Sequence, residues 1–203
     1  MNHIFIESGK RGSNEFNFIK DIVFAACKQN LGEHYDIVNV NGFTSLPDFR
    51  SKFLEHKSPE EKNLVVFDAD YPETNGGFEA RSKNIQQYKE KLSIDFELFL
   101  LPNNKADGIF ETLLRYLVKP EYEAQVKDFN KSLKKDTFIS PDEKAKIYSY
   151  ISAFKRSRKE PEIFKRGNWN FLNEAHWNLE SDYLAPLKDF LRCHLIGHGD
   201  MAK

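Results

Sequence analysis

Short apolar runs alternate with longer amphipathic stretches through the first half of the chain. Four of these runs are typical of strands, at residues 4–6, 35–40, 64–70 and 95–101. The third contains four consecutive apolar residues, a pattern of strands that are buried on both faces, as in parallel sheets. The stretches between the runs have helical spacing, and the first begins near Asn14, with Ser13 or Asn14 as its cap. The pattern predicts an α/β domain with a mainly parallel sheet of about four strands flanked by helices.

The second half of the chain shows helical periodicity. Sets of apolar residues with three- and four-residue spacing begin at Phe110, Tyr122, Ile147 and Leu184. We therefore predict an α/β domain over residues 1–118 and a C-terminal helical extension over residues 119–203. The extension is expected to pack on the sheet rather than to form an independent domain.

Composition and charge exclude several classes of protein. The 203 residues are 40% apolar and 30% charged and carry a net charge of −1, so any nucleic-acid binding requires a local basic patch. No apolar run has membrane-spanning length, and the first residues do not form a signal peptide. Cys27 and Cys193 form no CxxC pair, which is typical of buried thiols in a reducing compartment and leaves a disulfide as the alternative. We expect a cytoplasmic protein with no membrane partner.

Carboxylates follow two of the predicted strands at the point where each strand ends. Asp68 and Asp70 close the third strand, and Glu7 follows the first. We predict that Glu7 and Asp68 are adjacent, because the carboxyl ends of parallel strands lie at the same edge of the sheet. Side chains at positions i and i+2 of a strand point to the same side, so Asp68 and Asp70 are predicted to converge. A bound Mg²⁺ or Mn²⁺, which prefers oxygen ligands, would relieve their repulsion. The residues alone leave open the alternative that Asp68 caps the following loop and Asp70 is solvated.

Basic residues near glycines give candidate phosphate contacts. The loop containing Gly9, Lys10 and Arg11 lacks the spacing of a P-loop, and it either faces a phosphate at the start of a helix or is a polar turn. Arg81 follows two glycines and either clamps a phosphate or is a solvated helix residue.

A basic stretch lies in the second half of the chain. It spans residues 154–166 and includes Lys155, Arg156 and Arg158, with flanking aromatic residues. Such a stretch either follows a nucleic-acid backbone or forms a solvated face.

In their order along the chain these motifs resemble the TOPRIM domain. That domain occurs in topoisomerases, primases and the overcoming-lysogenization-defect nucleases. Residues 4–9 match its strand that ends in Glu before a glycine and a helix, and residues 65–70 match its strand that ends in Asp-x-Asp. An uncharacterised bacterial branch of TOPRIM-like proteins resembles the chain further, at residues 100–103, 108–114, 142–146 and 169–171. The resemblance covers most of the chain.

This resemblance implies a Rossmann-like fold and a Mg²⁺- or Mn²⁺-dependent phosphoryl-transfer site, with a nuclease acting on DNA or RNA as the expected enzyme. It implies that Asp68 and Asp70 hold the metal and that Glu7 is a general acid/base or a further ligand. Glu15 is the nearest candidate for a second acidic ligand. Glu111 is either a partner that orients a ligand or an exposed helix residue. TOPRIM nucleases in defence systems often need an ATPase, so the resemblance also implies an ATPase partner protein.

Three alternatives to the nuclease are considered. The TOPRIM glutamate is usually followed directly by glycine, whereas Ser8 intervenes here, which favours an inactive module that binds nucleic acid, a nucleotide or a protein. Haloacid-dehalogenase-like phosphatases usually place Gly-Thr soon after the first aspartate, but Tyr71 and Pro72 follow here. Nucleotide-sugar glycosyltransferases use Asp-x-Asp to hold Mg²⁺ and a diphosphate, but nothing in the chain marks a sugar pocket. Neither of these two enzyme classes explains Glu7.

Overall fold

A parallel sheet forms the centre of the molecule. The computed structural model describes residues 1–7, 11–56, 58–124, 143–154 and 169–196. Its strands are β1 (Asn2–Ile6), β2 (Tyr35–Asn39), β3 (Asn63–Asp68) and β4 (Glu97–Leu101). They lie in the order β2-β1-β3-β4, and every neighbouring pair is parallel. The predicted α/β class is confirmed, and the sheet is entirely parallel.

Helices connect the strands and continue beyond the last one. Ser13 caps the first helix, since its hydroxyl oxygen accepts the backbone N–H of Phe16 at 3.3 Å. A 3₁₀ segment at Phe43–Phe49 precedes the second helix. The helices are α1 (Asn14–Cys27), α2 (Arg50–Phe53), α3 (Phe78–Leu92), α4 (Phe110–Arg115), α5 (Glu143–Ser152) and α6 (Ala185–Leu195).

Both faces of the sheet are buried, which accounts for its continuous apolar strands. Successive residues of a strand point to opposite faces. Val65 and Phe67 pack in a cluster with residues of α2 and α3, whereas Leu64 and Val66 pack in a cluster with residues of α1, α4, α5 and α6. All four side chains are fully buried. The third apolar run is thus buried on both faces, as predicted.

The segment from residue 169 to the end of α6 packs on α1. The backbone N–H of Phe171 donates a hydrogen bond to the buried carboxylate of Asp21 at 3.0 Å. Trp169 and Trp177 are buried in the same cluster as β1, β3 and α1. The two halves of the chain therefore share a core. The division into residues 1–118 and 119–203 stays a prediction.

Several predicted features lie outside the described residues. They include Gly9 and Lys10 of the first loop and the basic residues Lys155, Arg156 and Arg158.

The described ranges contain no helix that is both long enough and apolar enough to cross a membrane. Cys27 and Cys193 are free thiols. Cys27 is half-buried, but Cys193 is exposed on α6, so the prediction of two buried thiols is wrong for Cys193. Cys193 is exposed because the buried face of α6 is formed by Leu187, Leu191 and Leu195.

Candidate functional site

The strand order places a crevice at the carboxyl ends of β1 and β3. The chain proceeds from β1 to β2 on one side of β1, whereas β3 and β4 lie on its other side. In open α/β sheets, ligands bind beyond the carboxyl ends of the strands at such a switch point. Glu7 directly follows β1, and Asp68 is the last residue of β3. The two residues therefore lie where the fold favours a binding site.

Glu7 is held by two backbone N–H groups. Its Oε1 accepts from Phe43 at 3.3 Å and its Oε2 from Asp68 at 3.2 Å. The predicted adjacency of Glu7 and Asp68 is confirmed by this second bond. Burial raises the pKa of the Glu7 carboxyl, the Arg81 guanidinium opposes the increase, and the charge of Asp70 adds to it. Such a carboxyl is suited to exchange a proton nearer neutral pH than an exposed glutamate.

Asp68 is the most strongly perturbed carboxyl group at this edge of the sheet. Its Oδ1 accepts the backbone N–H of Phe110 at 2.8 Å. Burial raises its pKa well above the usual range, and neighbouring negative charges raise it further. These charges belong to Glu15, Glu7, Glu111 and Asp70, in decreasing order of effect. The fold therefore concentrates five acidic residues, Asp68 included, at one half-buried position, a distribution that favours a cation.

Glu15 and Glu111 reach Asp68 from two different helices. Glu15 is buried in the first turn of α1, and the half-buried Glu111 is the second residue of α4. The alternative of a fully exposed Glu111 is therefore wrong. Both charges raise the pKa of Asp68, so both residues belong to the same electrostatic cluster.

Asp70 lies outside β3, although the sequence pattern predicted that Asp70 would be the last residue of this strand. Strand β3 ends at Asp68, and Asp70 has a φ of 60° in the left-handed region. The N–H of Asp70 donates to the carbonyl oxygen of Gly108, and the N–H of Gly108 donates to the carbonyl oxygen of Asp70, both at 2.8 Å. The argument from i, i+2 spacing therefore does not apply to Asp70, because this pairing turns the chain out of the strand. Its carboxylate forms an ion pair with Nη2 of Arg81.

Arg81 is buried beside the acidic residues. Its side chain is 4% exposed, and its guanidinium carbon lies 3.6 Å from the centre of the Phe43 ring. The alternative of a solvated helix arginine is therefore wrong. The other basic candidate that the structure describes, Arg11, is exposed in the turn before α1.

Gly76 packs against Asp70 with no space for a side chain. A Cβ at Gly76 would lie well inside van der Waals contact with the Cβ of Asp70, and 3.0 Å from the carbonyl oxygen of Ala69. We expect Gly76→Ala to lower the free energy of unfolding by about 2–3 kcal/mol, because neither atom can move without the backbone. Urea unfolding followed by circular dichroism measures this loss.

Gly32→Ala is the matched control for Gly76→Ala. Gly32 has a φ of +81°, but an added Cβ would meet no atom within 4 Å. Only the backbone conformation is strained there, at about 1 kcal/mol. An equal or smaller loss at Gly76 would contradict the close packing of Gly76 on Asp70.

The donor atoms at this site fit a hard divalent cation in chemical type, since carboxylate oxygens are the ligands that Mg²⁺ and Mn²⁺ prefer. In the part of the chain that the structure describes, no three His, Cys, Asp or Glu side chains are already arranged to hold a metal ion. Asp70, one of the expected ligands, is paired with Arg81 instead. The residues therefore fit the cation in donor type, and Asp70 can join them only by leaving this pair.

Sequence reasoning missed two contributors to the site. Phe43 contributes its N–H to Glu7 and its ring to Arg81, and Phe110 contributes its N–H to Asp68. Backbone donors leave no signature in residue type. Residues 108–114 resemble the bacterial branch in sequence, but only the position of Phe110 at the start of α4 gives Phe110 its role.

A comparison with known families gives one match. A family model described as "Protein of unknown function (DUF3226)" matches residues 12–194. The matched range includes Glu15, Asp68, Asp70, Arg81 and Glu111. No curated protein and no solved structure matches the chain.

Proposed function

We propose that this chain, which belongs to the DUF3226 family of proteins of unknown function, is a metal-dependent phosphoryl-transfer enzyme that cleaves phosphodiester bonds of DNA or RNA. One observation carries the proposal: the half-buried carboxyl of Asp68 lies among four other acidic residues at the switch point of the sheet. Buried like charges are costly unless a cation offsets them. The resemblance of residues 4–9 and 65–70 to the TOPRIM domain supports the same reaction.

The acidic residues divide into two roles under this proposal. Asp68 and Asp70 hold Mg²⁺ or Mn²⁺, with Glu15 and Glu111 as further negative charge around the ion. The ion supplies charge neutralisation on the phosphate oxygens and an activated water. Glu7 moves a proton on the attacking water or on the leaving oxygen, or shares the ion. Its burial supports the proton-transfer role, because burial raises its pKa toward neutral pH.

Nucleic acid as substrate and an ATPase as partner protein belong to the same proposal. Both rest on the TOPRIM resemblance. The candidate phosphate contacts are Gly9, Lys10, Arg11, Arg81, Lys155, Arg156 and Arg158.

Glu7→Gln is expected to lower the rate of cleavage by about 100-fold or more, because general acid/base groups contribute about this much. Glutamine is similar in size and can still accept the N–H of Phe43. If Glu7 acts on the proton alone, the affinity for Mn²⁺ stays close to that of the wild type. Single-turnover cleavage and isothermal titration with Mn²⁺ measure the two quantities. A variant that cleaves at the wild-type rate would remove Glu7 from the mechanism.

A second candidate function is a module that binds nucleic acid, a nucleotide or a protein without cleaving it. The ion pair between Asp70 and Arg81 favours this alternative, because it neutralises one of the two expected ligands without a metal. The insertion of Ser8 after Glu7 favours it as well.

One assay separates the two functions. Single-stranded and duplex DNA and RNA are incubated with the protein and Mg²⁺ or Mn²⁺, with an EDTA control. Metal-dependent cleavage that is lost in Asp68→Asn supports the enzyme. Binding of nucleic acid without cleavage, in the presence of either ion, supports the module.

A further inference from the structure

Arg81 has more hydrogen-bond donors than the structure satisfies. Its Nη2 is paired with Asp70, but Nε and Nη1 are buried and meet no acceptor among the described residues. A guanidinium carries five N–H donors in a fork that matches carboxylate and phosphate oxygens. Buried polar groups are nearly always hydrogen-bonded, so the unpaired donors require an explanation. The Phe43 ring covers the face of the guanidinium and accepts neither of these N–H groups in its plane.

The backbone of Asp70 is held in place by several contacts, whereas its carboxylate can pair either with Arg81 or with a metal ion. Two hydrogen bonds to Gly108 and the contact with Gly76 hold the main chain in place. The carboxylate pairs with Arg81, and its charge also acts on Asp68 and Glu7. Because the main chain is held, a change of partner by this carboxylate takes place in the side chain.

We infer that Arg81 is an internal cation that competes with the divalent metal for Asp70, and that Arg81, once released, binds an oxygen of the substrate phosphate. The inference rests on the proposed function, and it adds the coupling between the metal and the phosphate. When the metal takes Asp70, the guanidinium loses its acceptor while its other donors are still unpaired. A phosphate oxygen satisfies these donors and has the charge that Arg81 then needs. Until the metal binds, Arg81 is therefore held by Asp70 and does not bind the phosphate.

Removing Arg81 is expected to strengthen metal binding. In Arg81→Met the Asp70 carboxylate has no partner, so we expect Mn²⁺ to bind about tenfold more tightly or better in isothermal titration. Arg50→Met is the matched control, since Arg50 is exposed on α2 and donates to the carbonyl of Leu92. In the double variant Asp70→Asn/Arg81→Met neither side chain is charged. We therefore expect this variant to lose the increase in Mn²⁺ affinity that Arg81→Met shows.

The wild-type protein gives a second readout. The Nε–Hε signal of Arg81, assigned by comparison with Arg81→Lys, is followed by ¹⁵N NMR during titration with Mg²⁺. We expect the signal to shift with the metal and to shift again with inorganic phosphate. In Arg81→Met, inorganic phosphate in the presence of Mg²⁺ is expected to bind at least about tenfold more weakly than in the wild type.

The outcomes distinguish this inference from the proposed function. Metal binding that depends on Asp68, together with an unchanged Arg81 signal and unchanged Mn²⁺ affinity in Arg81→Met, overturns the competition and leaves the enzyme intact. Absence of metal binding in the wild type and in Arg81→Met overturns both.

Discussion

Replacing Asp68 with asparagine is expected to weaken Mn²⁺ binding by about 100-fold or more and to abolish metal-dependent cleavage. The substitution removes the charge but keeps an oxygen that can accept the N–H of Phe110, which lies 2.8 Å from Oδ1. The local structure is therefore expected to persist, so the loss of Mn²⁺ affinity measures the contribution of the negative charge of Asp68.

The same substitution is expected to stabilise the metal-free protein. Burial and the surrounding carboxylates raise the pKa of Asp68 in the folded state, so the folded state binds more protons than the unfolded state above the usual pKa of aspartate. The free energy of unfolding of the wild type therefore falls as the pH rises through this window. At pH 7 we expect Asp68→Asn to be more stable by about 1 kcal/mol or more, with the difference closing near pH 4.

Titration with Mn²⁺ and urea unfolding between pH 4 and 8 test both effects. Asp95→Asn is the control, because Asp95 is exposed before β4 and its pKa is lowered, chiefly by a hydrogen bond from Lys89. This variant should leave metal binding unchanged and gain no stability. If wild type and Asp68→Asn bind Mn²⁺ equally and neither cleaves nucleic acid, the metal site at Asp68 is wrong and only the fold stands.

Phe171→Ala is expected to lower the free energy of unfolding by about 3–5 kcal/mol. The Phe171 ring is fully buried between the two halves of the chain, with its centre 5.1 Å from that of Phe18 and 5.0 Å from that of Trp177. Truncation leaves a cavity lined by rings that come from α1 and from the C-terminal segment. Urea unfolding followed by circular dichroism measures the change.

The neighbouring residue provides the control for Phe171→Ala. Leu172 is 37% exposed, and Leu172→Ala is expected to change stability by less than about 0.5 kcal/mol. Phe171 also contacts the ring of Phe110, at 6.2 Å between centres. Because the N–H of Phe110 binds Asp68, Phe171→Ala should also weaken Mn²⁺ binding. Similar stability losses in the two variants would show that the C-terminal segment contributes little to the shared core.

The parts of the fold that depend on local patterns could be predicted from the sequence. The four strands differ from their predicted bounds by at most two residues at each end. The adjacency of Glu7 and Asp68 followed from a single rule, that the ends of parallel strands meet at one edge of the sheet. Apolar runs report burial directly, and this is why the sheet with two covered faces was predictable.

The conformation of Asp70 and the burial of Arg81 could not be predicted in the same way. Asp70 leaves the strand because it pairs with Gly108, which is distant in sequence. Arg81 lies in a polar helix, and it is buried because Asp70 and Phe43 approach it from other segments. Each of these contacts is set by tertiary packing, which periodicity does not encode. The sequence therefore identified the acidic residues but not the cation that pairs with one of them.

The position of the two tryptophans gives the molecule a built-in optical reporter. The chain contains two tryptophans, Trp169 and Trp177, and both belong to the C-terminal segment. Their rings lie 5.9 Å apart in the core shared with α1. Since the strands and α1–α4 carry no tryptophan, the fluorescence emission of this protein reports the docking of the C-terminal segment. Separation of this segment from the sheet and melting of the sheet itself would therefore differ in their spectra.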